Sequence, residues 1–147
     1  MKKISDILYK VNIIAISGNT DLDIMDVQID SRKVKGESLF IAVNGVSVDG
    51  HQFIDKAIGQ GAKAIICENL PSKKIEGITY VQVRSGAEAA GQIAHNFYDQ
   101  PSQKFKLVGV TGTNGKTTIA TLLYKLFTCL GYDCGLVSTV ENIIVSN

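Results

Sequence analysis

The segment Gly112-Thr113-Asn114-Gly115-Lys116-Thr117-Thr118 gathers the residue types that hold the tail of a nucleoside triphosphate. Consecutive backbone N–H groups there form a concave nest for an anion, and glycines let the main chain adopt positive φ and approach the anion closely. Lys116 would reach the β- and γ-phosphates of ATP as the catalytic cation. The Thr117 hydroxyl would ligate Mg²⁺, and the following helix would point its positive end at the phosphates. A helix end contributes only about 0.3–1 kcal/mol when exposed and up to roughly 2 kcal/mol when partly buried, so the nest and Lys116 must supply most of the affinity. The general pattern GxxxxGK[ST] asks for glycine at position 110, where this chain has Val110, with Gly109 one place early. An apolar stretch directly before the loop and an amphipathic one directly after it supply the context that the pattern requires. A plain glycine turn has no need of Lys116 and two threonines. Gly109, Gly112 and Gly115 spell GxxGxxG, a poor fit to the dinucleotide GxGxxG.

The loop needs a strand to feed it and a helix to follow it. Phe105 to Val110 reads as a buried-type strand, and Lys116 to about Leu130 as a helix with Leu122, Leu123, Leu126 and Leu130 on its apolar side, stopped by Gly131. Gly135 to Val140 reads as the next strand. Upstream, Ile4, Ile7 and Leu8 share a helical face, Ile24 to Ile29 alternates as a strand, and Asp30-Ser31-Arg32-Lys33 is a polar turn. Leu39 to Val43 is a short strand. Asp49 caps a helix with Phe53, Ile54, Ala57 and Ile58 inward, which leaves His51 as a surface histidine. Lys63 to Cys67 and Thr79 to Val83 are strands, and Gly86 to Tyr98 is a helix burying Ala90, Ile93, Ala94 and Phe97, with His95 structural. Strand alternating with helix predicts an α/β fold. Asp99-Gln100-Pro101-Ser102 interrupts it as a linker, so the predicted domains are residues 1–104 and 105–147.

The second block is only about 43 residues long, whereas domains below about 40 residues seldom stand without staples. It reads as the truncated start of a P-loop mononucleotide-binding domain, and we expect the natural protein to continue past Asn147. Net charge is +1, with Lys and Arg dispersed among acids, which gives no field for nucleic acid or an anionic membrane. The apolar runs, Ile13 to Ile16 among them, are far shorter than the roughly 18 residues of a membrane span. The amino terminus lacks an unbroken apolar stretch, so we expect no signal peptide and a cytoplasmic protein without membrane insertion. Cys67, Cys129 and Cys134 lack close CxxC spacing and read as small buried apolar residues, with no metal cluster.

Val110 to Thr118 resembles the ATP loop of the Mur ligases, the amide-forming synthetases of the peptidoglycan stem peptide, and Val110 is the residue expected there. Upstream, Asp30-Ser31-Arg32 with Gly36, Leu39-Phe40-Ile41-Ala42, Gly45, Asp49-Gly50-His51, Phe53-Ile54, Ala57 and Gly61-Ala62 resembles the family's amino-terminal domain. Ser138-Thr139-Val140 is most similar to the member that adds the third residue. The resemblance covers nearly the whole chain. It implies a small α/β domain holding the UDP end of the substrate, then the opening of an ATP-binding domain. It puts Ile29 and Ser31 beside the uracil and diphosphate, and Val46, Ser47 and Val48 in a second contact segment, and it makes Asp30 or a diphosphate the partner of Arg32. It also implies ATP and Mg²⁺ as cofactors, UDP-MurNAc-L-Ala-D-Glu and a diamino acid (diaminopimelate or lysine) as partners, an acyl phosphate on the way, and a monomer. Three alternatives stay open: the member adding the D-alanyl dipeptide, a nucleotide-binding regulatory module, and a P-loop kinase or GTPase. The 147 residues alone are not expected to turn over.

Overall fold

The structure, a computed structural model, describes residues 1–45 and 48–144, and divides into two compact units, Met1–Phe105 and Lys106–Asn147. The first unit opens with β1 (Lys2–Lys3) and the short helix α1 (Ile4–Ile7). Strands β2 (Ile13–Ser17), β3 (Asp23–Ile24), β4 (Asp26–Gln28) and β5 (Ser38–Ile41) follow. Helix α2 (Ile54–Gly59), strands β6 (Ala62–Cys67) and β7 (Thr79–Val83), and helix α3 (Gly86–Phe97) complete the unit.

Five strands form one sheet in the order β2-β7-β6-β5-β4, with β4 to β7 parallel and β2 antiparallel at the edge. Parallel strands are buried on both faces, which explains why β5 reads Ser-Leu-Phe-Ile with all four residues buried. Period-two alternation sends Leu39, Ile41, Ala64, Ile66, Val81 and Val83 to one face, where they meet α1 and α3 through Ile4, Ile7, Ala89 and Ile93. Phe40, Ile65, Cys67 and Tyr80 go to the other, where Ile54 and Ala57 of α2 cover them. Asn96 of α3 donates from Nδ2 to the carbonyls of Ile7 and Tyr9 at 2.9 and 2.7 Å, tying the two helices of one face together.

The segment Ile24 to Ile29 is two strands, because Met25 interrupts it: β3 pairs with β1 in a separate two-stranded sheet, and β4 joins the main one. Strand β2 reads in the sequence only as an apolar run; at the sheet edge Ile14 and Ile16 are exposed, so its pattern lacks one clean buried face. The cysteines divide. Cys67 is buried, with burial pushing its thiol up to about 11, whereas Cys129 is exposed and Cys134 half-buried.

The second unit holds α4 (Lys116–Cys129) and a hairpin of β8 (Leu136–Val137) with β9 (Asn142–Ile143). Phe105 to Val110 is not a strand here: a ladder requires a partner, and no described segment pairs with it, leaving Leu107 and Val108 73% and 62% exposed. The predicted strand from Gly135 ends at Val137, where the Ser138 hydroxyl donates to the Glu141 carbonyl at 2.8 Å and accepts from the Glu141 N–H at 3.1 Å to turn the chain back. No helix among the described residues is long and apolar enough to cross a membrane.

Candidate functional site

In the second unit the loop bends from Gly112 to Asn114 and enters α4 at Lys116, with the first helical bond from the Ile119 N–H to the Gly115 carbonyl at 2.9 Å. Gly112 (φ +151°) and Gly115 (φ +76°) both take positive φ, which side-chain-bearing residues rarely adopt. A Cβ at Gly115 would meet open space, so backbone conformation and not crowding is what demands glycine there. Lys116 folds back over the loop, its Nζ donating to the Gly112 carbonyl at 2.6 Å and the Thr113 carbonyl at 3.1 Å. The Thr117 hydroxyl is 3.4 Å from that of Thr139, in the β8–β9 turn. Thr113, Asn114 and Thr118 are exposed. The seven loop residues of the sequence motif thus lie at and just before the start of a 14-residue helix. Among the described residues no cluster of three His, Cys, Asp or Glu side chains is placed to hold a metal. Thr117 offers one hard oxygen, which fits Mg²⁺ only where phosphate oxygens and water complete the shell.

In the first unit Ile29, Ser31 and Val48 follow the carboxyl ends of parallel strands, where open α/β sheets bind ligands. Ile29 and Ser31 follow β4; Ile29 is 65% exposed and Ser31 is 6% exposed. The Ser31 hydroxyl has no hydrogen-bond partner among the described residues. Beside it the Asp30 carboxylate accepts from the Arg32 N–H at 3.0 Å and grips the guanidinium with two oxygens, Nε at 2.9 Å and Nη2 at 2.8 Å. These bonds, the side-chain pair first, hold the Asp30 carboxyl down at about 2. Of the two partners open to Arg32 in the sequence, Asp30 is the one it has here. Val48, 56% exposed, follows β5 at the same edge; Val46 and Ser47 lie outside the described residues.

The Mur ligase family, catalytic domain profile matches residues 23–98. The chain belongs to the Mur ligase family. Among curated members of that family, it is 59% identical over 97% of its length to the UDP-N-acetylmuramoyl-L-alanyl-D-glutamate--2,6-diaminopimelate ligase of Cytophaga hutchinsonii, covering 29% of that protein. The ligase of the same name from Bacteroides fragilis is 51% identical over 97% of this chain and 29% of the relative. The chain thus spans under a third of the length of these relatives. Among solved structures, the MurF ligase of Thermotoga maritima in complex with ADP aligns over 71% of this chain and 23% of its own with TM-score 0.53 and 32% identity. A 2,6-diaminopimelate ligase structure aligns over 99% of this chain and 29% of its own with TM-score 0.67, and at 24% identity supports the fold alone.

What the motif reading of this Mur ligase family chain missed is the interior of the carboxyl edge. Asp49 does cap, accepting from the His51 N–H at 2.9 Å at the head of a 3₁₀ turn, Gly50–Phe53, that leads into α2. His51 is not a surface histidine: its side chain is 14% exposed and bonded on both ring nitrogens. His95 is half-buried, with Nδ1 3.3 Å from the Ser102 hydroxyl. Glu68, at the end of β6, drew no notice because a single acid after an apolar strand carries no spacing signal.

Proposed function

We propose that the full-length protein ligates 2,6-diaminopimelate to UDP-MurNAc-L-Ala-D-Glu at the expense of ATP. What supports the reading is a 59% identity to a ligase of that name that runs through both the carboxyl-edge unit and the phosphate loop. The choice of diaminopimelate over lysine follows the relatives' names.

On this reading the first unit holds the uridine nucleotide end of the substrate, with Ile29, Ser31, Val46, Ser47 and Val48 as its contacts; the Ser31 hydroxyl, without a partner among the described residues, would give a ligand a hydrogen-bonding group. The second unit opens the ATP site. Backbone N–H groups from Gly112 to Thr118 cradle the phosphates, and the Lys116 amine exchanges its two carbonyl partners for the β- and γ-phosphate oxygens, a stronger charge-assisted pairing. Thr117 Oγ1 would help hold a Mg²⁺ ion, which would supply charge neutralisation. The γ-phosphoryl passes to the substrate carboxylate, giving ADP and an acyl phosphate. The amine of the diamino acid then displaces phosphate. Lys116 serves the first step by stabilising charge on the transferring group. ATP and a UDP-sugar are both cytoplasmic metabolites, so we place the reaction there, in a monomer.

The test supplies the full-length protein with ATP, Mg²⁺ and UDP-MurNAc-L-Ala-D-Glu, and offers diaminopimelate and lysine in turn. In a separate arm it offers UDP-MurNAc-tripeptide with D-alanyl-D-alanine. ADP release dependent on diaminopimelate is the expected outcome. Turnover with the dipeptide arm alone, or nucleotide hydrolysis indifferent to every acceptor, would overturn the assignment.

A further inference from the structure

Asp49, His51, Glu68 and Gly86 form a relay of hydrogen bonds across the carboxyl edge that includes none of the proposed contacts. Asp49 Oδ1 lies 2.6 Å from His51 Nδ1. On the far side of the ring Nε2 accepts from the Glu68 N–H at 2.9 Å, with the Asn69 N–H at 3.4 Å. Glu68 Oε1 accepts from the Gly86 N–H at 2.7 Å, and the Glu68 carbonyl accepts from Gln82 Nε2 at 3.0 Å. A backbone N–H can only donate, so Nε2 carries the lone pair and Nδ1 carries the proton given to Asp49. The neutral imidazole is the side chain that sets a donor and an acceptor on opposite sides of one rigid ring.

The relay spans three successive loops, those after β5, β6 and β7. Asp49 is also bridged antiparallel to Asn44, and the Gly45 N–H donates to the Val48 carbonyl at 3.1 Å, so the clasp holds the flank of the segment that carries Val48. At the other end a Cβ on Gly86 would lie 2.8 Å from the Ala42 carbonyl oxygen, which shows how closely the start of α3 packs on the end of β5.

We propose that His51, as the Nδ1–H tautomer, is a positioning residue for the sugar nucleotide. It holds Val48, through Asp49, against Glu68 and the start of α3, so that the uridine end meets a rim fixed at Val48. The inference rests on the functional reading above. A pre-ordered rim spares the substrate the entropy of ordering it, and its loss therefore falls on substrate binding and not on the phosphoryl step.

The experiment uses the full-length protein and steady-state kinetics well below its melting temperature. His51→Phe keeps the ring's bulk and removes both bonds; it should raise KM for UDP-MurNAc-L-Ala-D-Glu about 10-fold, with KM for ATP and kcat within about 2-fold. His51→Gln, whose amide oxygen can still accept from the Glu68 N–H, should recover most of that rise. Asp49→Ala frees the ring from the opposite side and should reproduce the selective change, so the test survives a His51→Phe protein that does not fold. An unchanged KM for the sugar nucleotide in the folded variants, or a parallel loss in all constants with a lowered melting point, overturns the positioning role. A wild-type protein that does not turn over the sugar nucleotide sinks the functional reading and this inference with it; normal wild-type turnover with unshifted variants sinks this inference alone.

Discussion

Strand β5 and helix α4 each carry an apolar side and meet opposite fates. Every residue of Ser38–Ile41 is buried, while none of Lys116–Cys129 is, and Leu122, Leu126 and Leu130 stand 60%, 54% and 62% exposed. Patterning marks the face an element is built to bury; burial itself belongs to the partner. The first unit supplies partners on both sides of its sheet, and the described residues of the second supply almost none beyond Leu136. Stability in this chain therefore resides in the first unit, and the phosphate loop stands on an element whose apolar side is uncovered among the described residues.

The largest effect that could break this contrast comes from Phe40, 1% exposed between β5 and α2. Phe40→Ala should cost about 3–5 kcal/mol in chemical denaturation followed by circular dichroism. A loss near zero would mean that the sheet is not the cooperative core. Asp30→Asn should have a smaller effect confined to acid. Its carboxyl sits at about 2 in the fold, against about 3.9 in an unfolded chain, so the charged form stabilises the fold above pH 4 and the benefit fades as pH falls toward 2. Melting temperature in the wild type should fall more steeply than in Asp30→Asn between those values; parallel curves would remove the Asp30–Arg32 clasp from the account. The gap should be modest, because Arg32 is 78% exposed and its pairing is screened by solvent. Smallest of all, Leu126→Ala in residues 1–147 should shift stability by no more than about 0.5 kcal/mol. A cost as large as that at Phe40 would reveal a cover over α4 and erase the contrast.

The legibility of the sequence follows the same division. Strands β5, β6 and β7, as apolar runs, and helix α3, by its period, were readable because each carries its own signal and the fold satisfies it. The stretch from Phe105 to Val110 carried an equally strong signal and forms no ladder, since pairing is a property of two segments. Strand β2 hid for the converse reason: its partner β7 recruits an edge segment whose exposed Ile14 and Ile16 blur the alternation. At the site, the glycine-lysine-threonine loop announced itself because its chemistry is contiguous. The Asp49–His51–Glu68 relay did not, because Glu68 lies 17 residues from His51 in sequence and only the parallel sheet brings the ends of β5 and β6 side by side.

Lys116→Ala in the full-length protein, assayed for ligation and titrated in parallel with UDP-MurNAc-L-Ala-D-Glu, bears most directly on the phosphate loop. Removing the amine now folded over the Gly112 and Thr113 carbonyls should lower kcat by about 10²–10³-fold or more, while sugar-nucleotide affinity stays within a factor of about 2. Wild-type turnover in that variant would contradict the assignment of this loop to ATP.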